Sequence, residues 1–423
     1  MAKIIKLSNG QVVCYQRKKG SLSCAFGIFV NAGSRDEGKD NNGIAHFIEH
    51  MTFKGTEKRT AFEIANELDK LGAHSNAYTS RTNTVYYVGG LGKYFEKYLD
   101  VMSDMFFNST YTDENIEKEK GVVLEEIKMY DDEGDSLCSD LLNKKFFDKD
   151  ALSNPILGTE KTVKKLTRQD ILDFVNKFYT VDNVCLSYVG ALSEKELRDL
   201  LEKYFVKPYE KRPNLCGKKT FRSKKKKTGF FTITNKPFEQ ANVMIRFPSV
   251  GIENPMSDAM GTMSLILGGG MSSRLFQKIR EENGLVYEIY SNSVAIKGAG
   301  YFDVCFATTP EQAVKAVQGI REVMEEVKQK GFTQEEFDKV KIQRESGAVL
   351  GSESGFDEMR LMGRYYLLTG KLVTHAKLLK KLEKVTFEDV NKAFIDTVDY
   401  QKTTVSYVGK EIKEDLREVL IKG

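Results

Sequence analysis

Leu166-Thr167-Arg168-Gln169-Asp170-Ile171 and Val385-Thr386-Phe387-Glu388-Asp389-Val390 read as one phrase used twice. Ser187-Tyr188-Val189-Gly190 and Ser406-Tyr407-Val408-Gly409 repeat a second phrase. Both pairs stand 219 residues apart (385 − 166 and 406 − 187). Thr112-Asp113-Glu114 resembles Thr333-Gln334-Glu335 at an offset of 221 (333 − 112). A spacing held this closely over long stretches argues for an internal duplication. In the first copy a helix is expected near 168–179, followed by the strand Asn183–Val189. The reading is α+β: two homologous domains, each a mostly antiparallel sheet packed with helices. Residues 1–210 form the first, 211–228 a linker and 229–423 the second.

The rest of the first copy supports that reading. Asn9-Gly10 between Ile4–Leu7 and Val12–Tyr15 predicts a hairpin. Cys24, Phe26, Ile28 and Val30 alternate on one face of a strand over 22–32. A helix is expected around 41–52. Thr60 with Glu63 caps another that stops at Gly72. Strands follow near 73–79 and 83–89, then helices near 93–107 and 113–131. The polar run Pro208 to Thr228, ending in Lys224–Lys227, reads as a solvated linker or as an anionic docking site.

Composition limits the function. Lys plus Arg is 64 and Asp plus Glu is 60, a net charge of +4, which favours neither nucleic acid nor membrane as a partner. No run of 18 apolar residues exists to span a bilayer. Six cysteines without a C-x-x-C pair read as small hydrophobes in a reducing, cytoplasmic setting.

Two of the four histidines lie in Gly43-Ile44-Ala45-His46-Phe47-Ile48-Glu49-His50-Met51. On a helix, His46 and His50 lie ~40° apart around the axis, so both rings share a face, with Glu49 close beside it. Two neutral imidazoles one turn apart can bind one zinc, and a nearby carboxylate can accept a proton from water. This inverted His-x-x-Glu-His order is a known zinc-peptidase signature; two incidental surface histidines are the alternative. On the helix near 113–131, Ile116, Val123, Ile127 and Tyr130 form a stripe that Glu119 and Glu126 join. Seven residues apart, these carboxylates point within ~20° of each other. Carboxylates on an apolar face are costly unless paired, with Lys118 or Lys120 for example, or metal-bound.

With these residues in place, the chain resembles the insulinase (pitrilysin) family of zinc endopeptidases. The likeness is strongest to the two-domain branch that holds the β subunit of mitochondrial processing peptidase and single-chain bacterial relatives. The block from Gly43 to Thr56 carries the resemblance most specifically. It implies His46, His50 and Glu126 as ligands of one zinc per chain, Glu49 as general base and Glu119 as an assisting carboxylate, with the adjacent Glu125 facing away. Asn76 and Ala77, in Leu71–Thr79, match the family's substrate-binding edge strand, and Phe53 matches an aromatic lining the pocket after the scissile bond. His74 departs from that pattern. In the second half, Gly268–Phe276 lacks the Gly-Lys-Ser/Thr of a phosphate loop. The resemblance instead implies that Arg280 and Tyr287 hold the substrate backbone and steady the oxyanion. The expectation is a zinc metalloendopeptidase acting on extended or presequence-like peptides, working as a homodimer. The rivals are a non-catalytic structural subunit of the same fold and one half of a heterodimeric peptidase. The acidic stretch Asp131–Asp135 reads as a solvated loop or an attractor of basic substrates.

Overall fold

The computed structural model describes residues 2–209 and 226–423. Cys216 and the Lys224-Lys225 part of the basic run lie outside the described residues. The chain folds as two compact units, neither of them a single contiguous stretch.

The first unit contains Met1–Ile127, Asn154–Lys219 and Val349–Lys377. Its sheet comprises β1 (Ala2–Lys6), β2 (Val12–Arg17), β3 (Ser23–Val30), β4 (His74–Thr79), β5 (Thr84–Leu91) and β6 (Val184–Gly190), in the order β1-β2-β6-β3-β5-β4. Only β2 and β6 pair in parallel. Strand β3 is buried on both faces. Cys24, Phe26, Ile28 and Val30 enter the main core, whereas Ala25 and Phe29 meet Met359 and Met362 of the helix Gly355–Thr369. The core face is covered by α1 (Ile44–Thr52), α2 (Ala61–Lys70), α3 (Phe95–Asn108) and the first part of α4 (Asp113–Asp132). The expected capping box of Thr60 and Glu63 opens α2, and Gly72 follows it at φ 61°.

The second unit contains Lys128–Ser153, Thr220–Ala348 and Leu378–Gly423. Its strands β7 (Gly229–Ile233), β8 (Ala241–Ser249), β9 (Glu288–Ile296), β10 (Ala299–Thr308) and β11 (Thr404–Val408) run in the order β7-β11-β8-β10-β9. Only β7 and β11 are parallel. Replacing β2, β6, β3, β5 and β4 in turn by these strands reproduces the first sheet without β1, so the duplication seen in the sequence is a duplication of topology.

The compact units are not the contiguous stretches 1–210 and 229–423. Each half of the chain contributes one helix to the unit built mainly from the other half. Helix α5 (Gly134–Phe147) buries Cys138 and Leu142 against Met244, Cys305 and Val408, which form the face of the second sheet turned away from its main core. The helix Gly355–Thr369 does the same for the first sheet. The physical reason is the second sheet face: a strand apolar on both sides needs cover on both. Arg246 of β8 fastens α5. It is 2% exposed, donates twice to Asp303 at 2.7 Å and once to Asn143 Oδ1 at 2.7 Å, and lies 3.6 Å from the Tyr301 ring centre.

Asp131 and Asp132 close α4, Glu133 is the residue before α5, and Asp135 lies in its first turn. The acidic stretch is therefore a helix-to-helix junction, not a loop, and Lys236 lies within 4 Å of both Asp131 and Asp132. Lys226 sits over the Phe147 ring, and Lys227 pairs with Asp148 at 2.9 Å, so the described end of the basic run is held against the end of α5. Among the described residues, no helix is long and apolar enough to cross a membrane.

Candidate metal centre and peptide-binding edge

Helix α1 turns Ile44, Ala45, Phe47, Ile48 and Met51 into the core. That fixes its roll and leaves His46 and His50 on the side facing α4. In α4, Ile116 and Val123 are buried and Ile127 packs against the core, so Glu119 and Glu126 are carried to the same side. Tyr130, expected on this stripe, is 45% exposed because α4 has by then run past the core of the first unit.

The carboxylate and the two rings converge. One donor atom from each of His46, His50 and Glu126 lies within 4.8 Å of the other two. His46 Nε2 and His50 Nε2 stand 3.7 and 3.6 Å from Glu126 Oε2. Zinc–nitrogen and zinc–oxygen bonds of about 2.1 Å at tetrahedral angles put ligand atoms about 3.4 Å apart, close to the two separations from Glu126. Among the described residues, Glu126 Oε2 and His46 Nδ1 are buried without a hydrogen-bond partner. A buried carboxylate oxygen left unpaired is costly, and a cation at this point removes the cost. Glu125 is exposed, one residue round the helix from Glu126.

Glu119 is 3% exposed and has two partners. Oε1 meets His50 Nδ1 at 2.8 Å, and Oε2 meets Lys54 Nζ at 2.7 Å. Lys118 and Lys120, the expected local partners, pair with Glu114 and Glu117. With its proton on Nδ1 toward Glu119, His50 presents the Nε2 lone pair to the cluster. Glu49 Oε2 accepts a 2.5 Å hydrogen bond from Thr79 Oγ1, at the end of β4.

Burial, aided by repulsion from His50, lowers His46 to about 3, so its ring is neutral. Burial alone pushes His50 down, but the hydrogen bond and charge of Glu119, with Glu126 and Glu49, hold it above its usual range. Glu49 is raised by burial; its Thr79 hydrogen bond and His50 oppose the shift. Burial raises Glu126 too. For Glu119, burial is outweighed by hydrogen bonds from His50 and Lys54, and it lies below the ordinary carboxylate range. Burial thus favours the neutral forms of His46, Glu49 and Glu126, whereas Glu119 is held toward its ionised form.

Beside the cluster opens a cavity of about 430 Å³, lined by Glu49, Phe53, Ile64, Leu68, Asn76 and Glu119 among others. Strand β4 is the sheet edge. Asn76 Oδ1 accepts the Ala77 N–H at 2.8 Å, so this edge donor is satisfied by its own neighbour. His74 is exposed at the start of β4 and belongs to no ligand group among the described residues.

Arg280 and Tyr287 lie in the second unit. Arg280 rides a π-helical turn, Phe276–Glu282, with its guanidinium 4.6 Å from the Phe276 ring centre and 5.8 Å from that of Tyr287. Tyr287 is 72% exposed, and its N–H donates to Ala307 O at 2.9 Å. The pair is therefore assembled locally. Lys54 and Thr79 are absent from the site read from the sequence. Lys54 stands four residues after His50, which is a helical signal. Thr79 carries no signal, because only the sheet brings β4 to α1.

Comparison with known proteins finds family models over both halves of the chain. A family model described as insulinase (peptidase family M16) matches residues 12–160, and one described as peptidase M16 inactive domain matches residues 165–344. The chain is 34% identical over 413 residues to a Bacillus subtilis protein named uncharacterized zinc protease YmxG, spanning 97% of this chain and 99% of that one. A Streptomyces coelicolor protein, also named an uncharacterized zinc protease, is 32% identical over 92% of this chain and 85% of its own length. Among solved structures, a peptidase M16 inactive domain from Pseudomonas fluorescens superposes with TM-score 0.90 at 21% identity, covering 98% of this chain and 99% of that one. A protease from Helicobacter pylori gives 0.88 at 21% identity, covering 96% and 99%. At that identity the structural likeness speaks for the fold alone.

Proposed function

The chain belongs to the insulinase family, peptidase family M16, and on that premise we propose that it is a zinc-dependent metalloendopeptidase of extended peptides. The observation that carries this reading is the convergence of His46, His50 and Glu126 within 4.8 Å, with Glu49 on the same helix as the two histidines. His46, His50 and Glu126 would hold the zinc, which when bound would supply a Lewis acid to acidify water and polarise a peptide carbonyl.

Glu49 takes the proton of the attacking water and returns it to the leaving amine; its raised pKa suits a group that must hold a proton in transit, and the Thr79 hydrogen bond orients its carboxylate. Glu119 keeps the His50 ring oriented. A substrate strand adds beside β4, where Asn76 must release the Ala77 N–H for main-chain pairing, and the side chain after the cut enters the cavity by Phe53. Arg280 and Tyr287 take the substrate backbone and the oxyanion. The complete ligand set weighs against a non-catalytic subunit, and its presence with Arg280 and Tyr287 in one chain weighs against an obligate heterodimer.

The reading extends to a cytoplasmic homodimer acting on unfolded or presequence-like segments. Cleavage of a mixed unfolded-peptide library, abolished by chelator and restored by zinc, is the expected result; chelator-resistant cleavage or none at all refutes it. Co-refolding Glu49→Gln with Tyr287→Phe tests whether copies share a site. About half of random pairs are mixed, each with one intact site, so roughly a quarter of wild-type activity returns if sites are shared. With subunit exchange confirmed, no recovery means that each site lies within one chain.

A further inference from the structure

Helix α1 begins at a residue that cannot cap it. A helix leaves its first N–H groups without partners inside the helix, and a side chain at the N-cap position usually accepts one or two of them. Here that position is Gly43, at φ 98°. A Cβ on Gly43 would stand 2.6 Å from Leu157 O and 2.9 Å from Gly158 Cα. The close approach of residues 157–158 therefore demands glycine, and α1 has no capping side chain of its own.

Glu37, six residues upstream, takes over the capping. Its Oε2 accepts the Gly43 N–H at 2.8 Å and its Oε1 the Ala45 N–H at 2.9 Å. Asn42 Nδ2 donates to Oε2 at 2.6 Å and also to Pro155 O at 2.9 Å, tying the same loop to residues 154–158. Glu37 is only 8% exposed. Its carboxylate is held by three neutral N–H donors, two from the backbone and one from Asn42. A buried carboxylate held by neutral donors is an expensive way to start a helix unless the helix's placement matters. His46 follows Ala45 directly.

We infer that Glu37 is a positioning residue for the metal centre, fixing the first turn of α1 and through it the lateral placement of His46. The inference rests on the zinc-peptidase reading for its functional consequence, though the clamp itself does not. It differs from the roles of Glu119, which holds the His50 ring from α4, and of Lys54, which pairs with Glu119 from beyond the end of α1. Two side-chain oxygens are required rather than an oxygen and an amide group. Glutamine offers one acceptor oxygen and turns its NH₂ toward the other backbone donor, leaving a buried N–H unsatisfied.

The test is Glu37→Gln in the full chain, with three readouts. Zinc affinity, measured by competition with a chromophoric chelator, is expected to fall about 10–100-fold, the range seen when outer partners of metal ligands are lost. Amide exchange at Ala45–Phe47 in the zinc-free protein is expected to quicken more than exchange in β3. kcat should stay below wild type even at saturating zinc, with KM within about twofold. Asn42→Ala, which keeps the carboxylate and removes one donor, should show the same pattern more weakly and stands in if Glu37→Gln does not fold. A merely structural Glu37 would lower the urea midpoint while the folded protein kept wild-type zinc affinity and wild-type exchange in α1; that result overturns the inference. If the wild-type protein takes up no zinc, the metal reading fails, and the exchange comparison still decides whether Glu37 holds α1.

Discussion

Helix α4 of the first half and the helix Gln334–Glu353 of the second are counterparts, each 20 residues long and starting 221 residues apart (334 − 113). The offset carries Glu119 to Val340, which is 1% exposed, and Glu126 to Gly347. The helix Ser257–Gly268, which leads the second unit after β8 as α1 leads the first after β3, has neither histidine nor glutamate. The same fold therefore stands with an apolar residue where the first unit buries a carboxylate. Glu119 and Glu126 are not demanded by the architecture, and their burial makes sense through His50, Lys54 and a cation. The second unit places its buried charge elsewhere, in Arg246 and Asp303, where it secures a helix.

Four experiments probe that contrast. Glu49→Gln keeps shape and zinc but cannot take a proton, so kcat/KM should fall by about 10²–10⁴-fold or more. Near-normal turnover with zinc bound would remove Glu49 from its role. Glu126→Ala, which moves the ligand helix toward its Gly347 counterpart, should lose most of the zinc, whereas Glu125→Ala should retain it. Elemental analysis separates them, and equal zinc in both would break the assignment of Glu126.

The charge in the second unit gives the third. Asp303→Ala leaves Arg246 buried without its charged partner, held by the Asn143 hydrogen bond and the Tyr301 ring, which is expected to cost about 3–5 kcal/mol of stability. The urea midpoint should drop while zinc affinity stays within about twofold, and a fall in zinc affinity of the folded protein would mean that the two kinds of buried charge are not separate.

The smallest effect concerns protons. His46, neutral above about 3, has none to lose, whereas His50 is raised by its carboxylates. Zinc needs a neutral ring, so its affinity should weaken as pH falls through the raised value of His50. Calorimetry in buffers of different ionisation enthalpy should find more proton release on zinc binding at pH 6 than at pH 8. In the zinc-free protein, the His50–Glu119 pair's contribution from His50 is complete below the ordinary histidine value of 6.5. It is lost as pH rises through the raised value. Equal proton release at both pH values would place His50 in the neutral state throughout.

By itself the sequence determined whatever depends on spacing along the chain. The capping box at Thr60 opens a helix where expected, because a capping box involves only four consecutive residues, and the repeated phrases at Thr167 and Thr386 prove to be capping boxes too. The alternation of Cys24, Phe26, Ile28 and Val30 marked the core face of β3, and the spacings of 46 to 50 and 119 to 126 put each pair on one helix face. The local juxtaposition of Arg280 and Tyr287 follows from the same short separation.

Tertiary structure decided the rest, for reasons of distance along the chain. The exchange of α5 and the helix Gly355–Thr369 depends on which uncovered sheet face each helix reaches, and its own residues do not encode that choice. Tyr130 faces solvent because the core of the first unit ends before α4 does. Glu119 chose Lys54 over its sequence neighbours because α4 lies against the end of α1. Thr79 reaches Glu49 from 30 residues away across the sheet edge. Glu37 looks in sequence like one more surface acid; only the fold of 37–45, sealed by residues 154–158, turns it into the cap that Gly43 cannot provide.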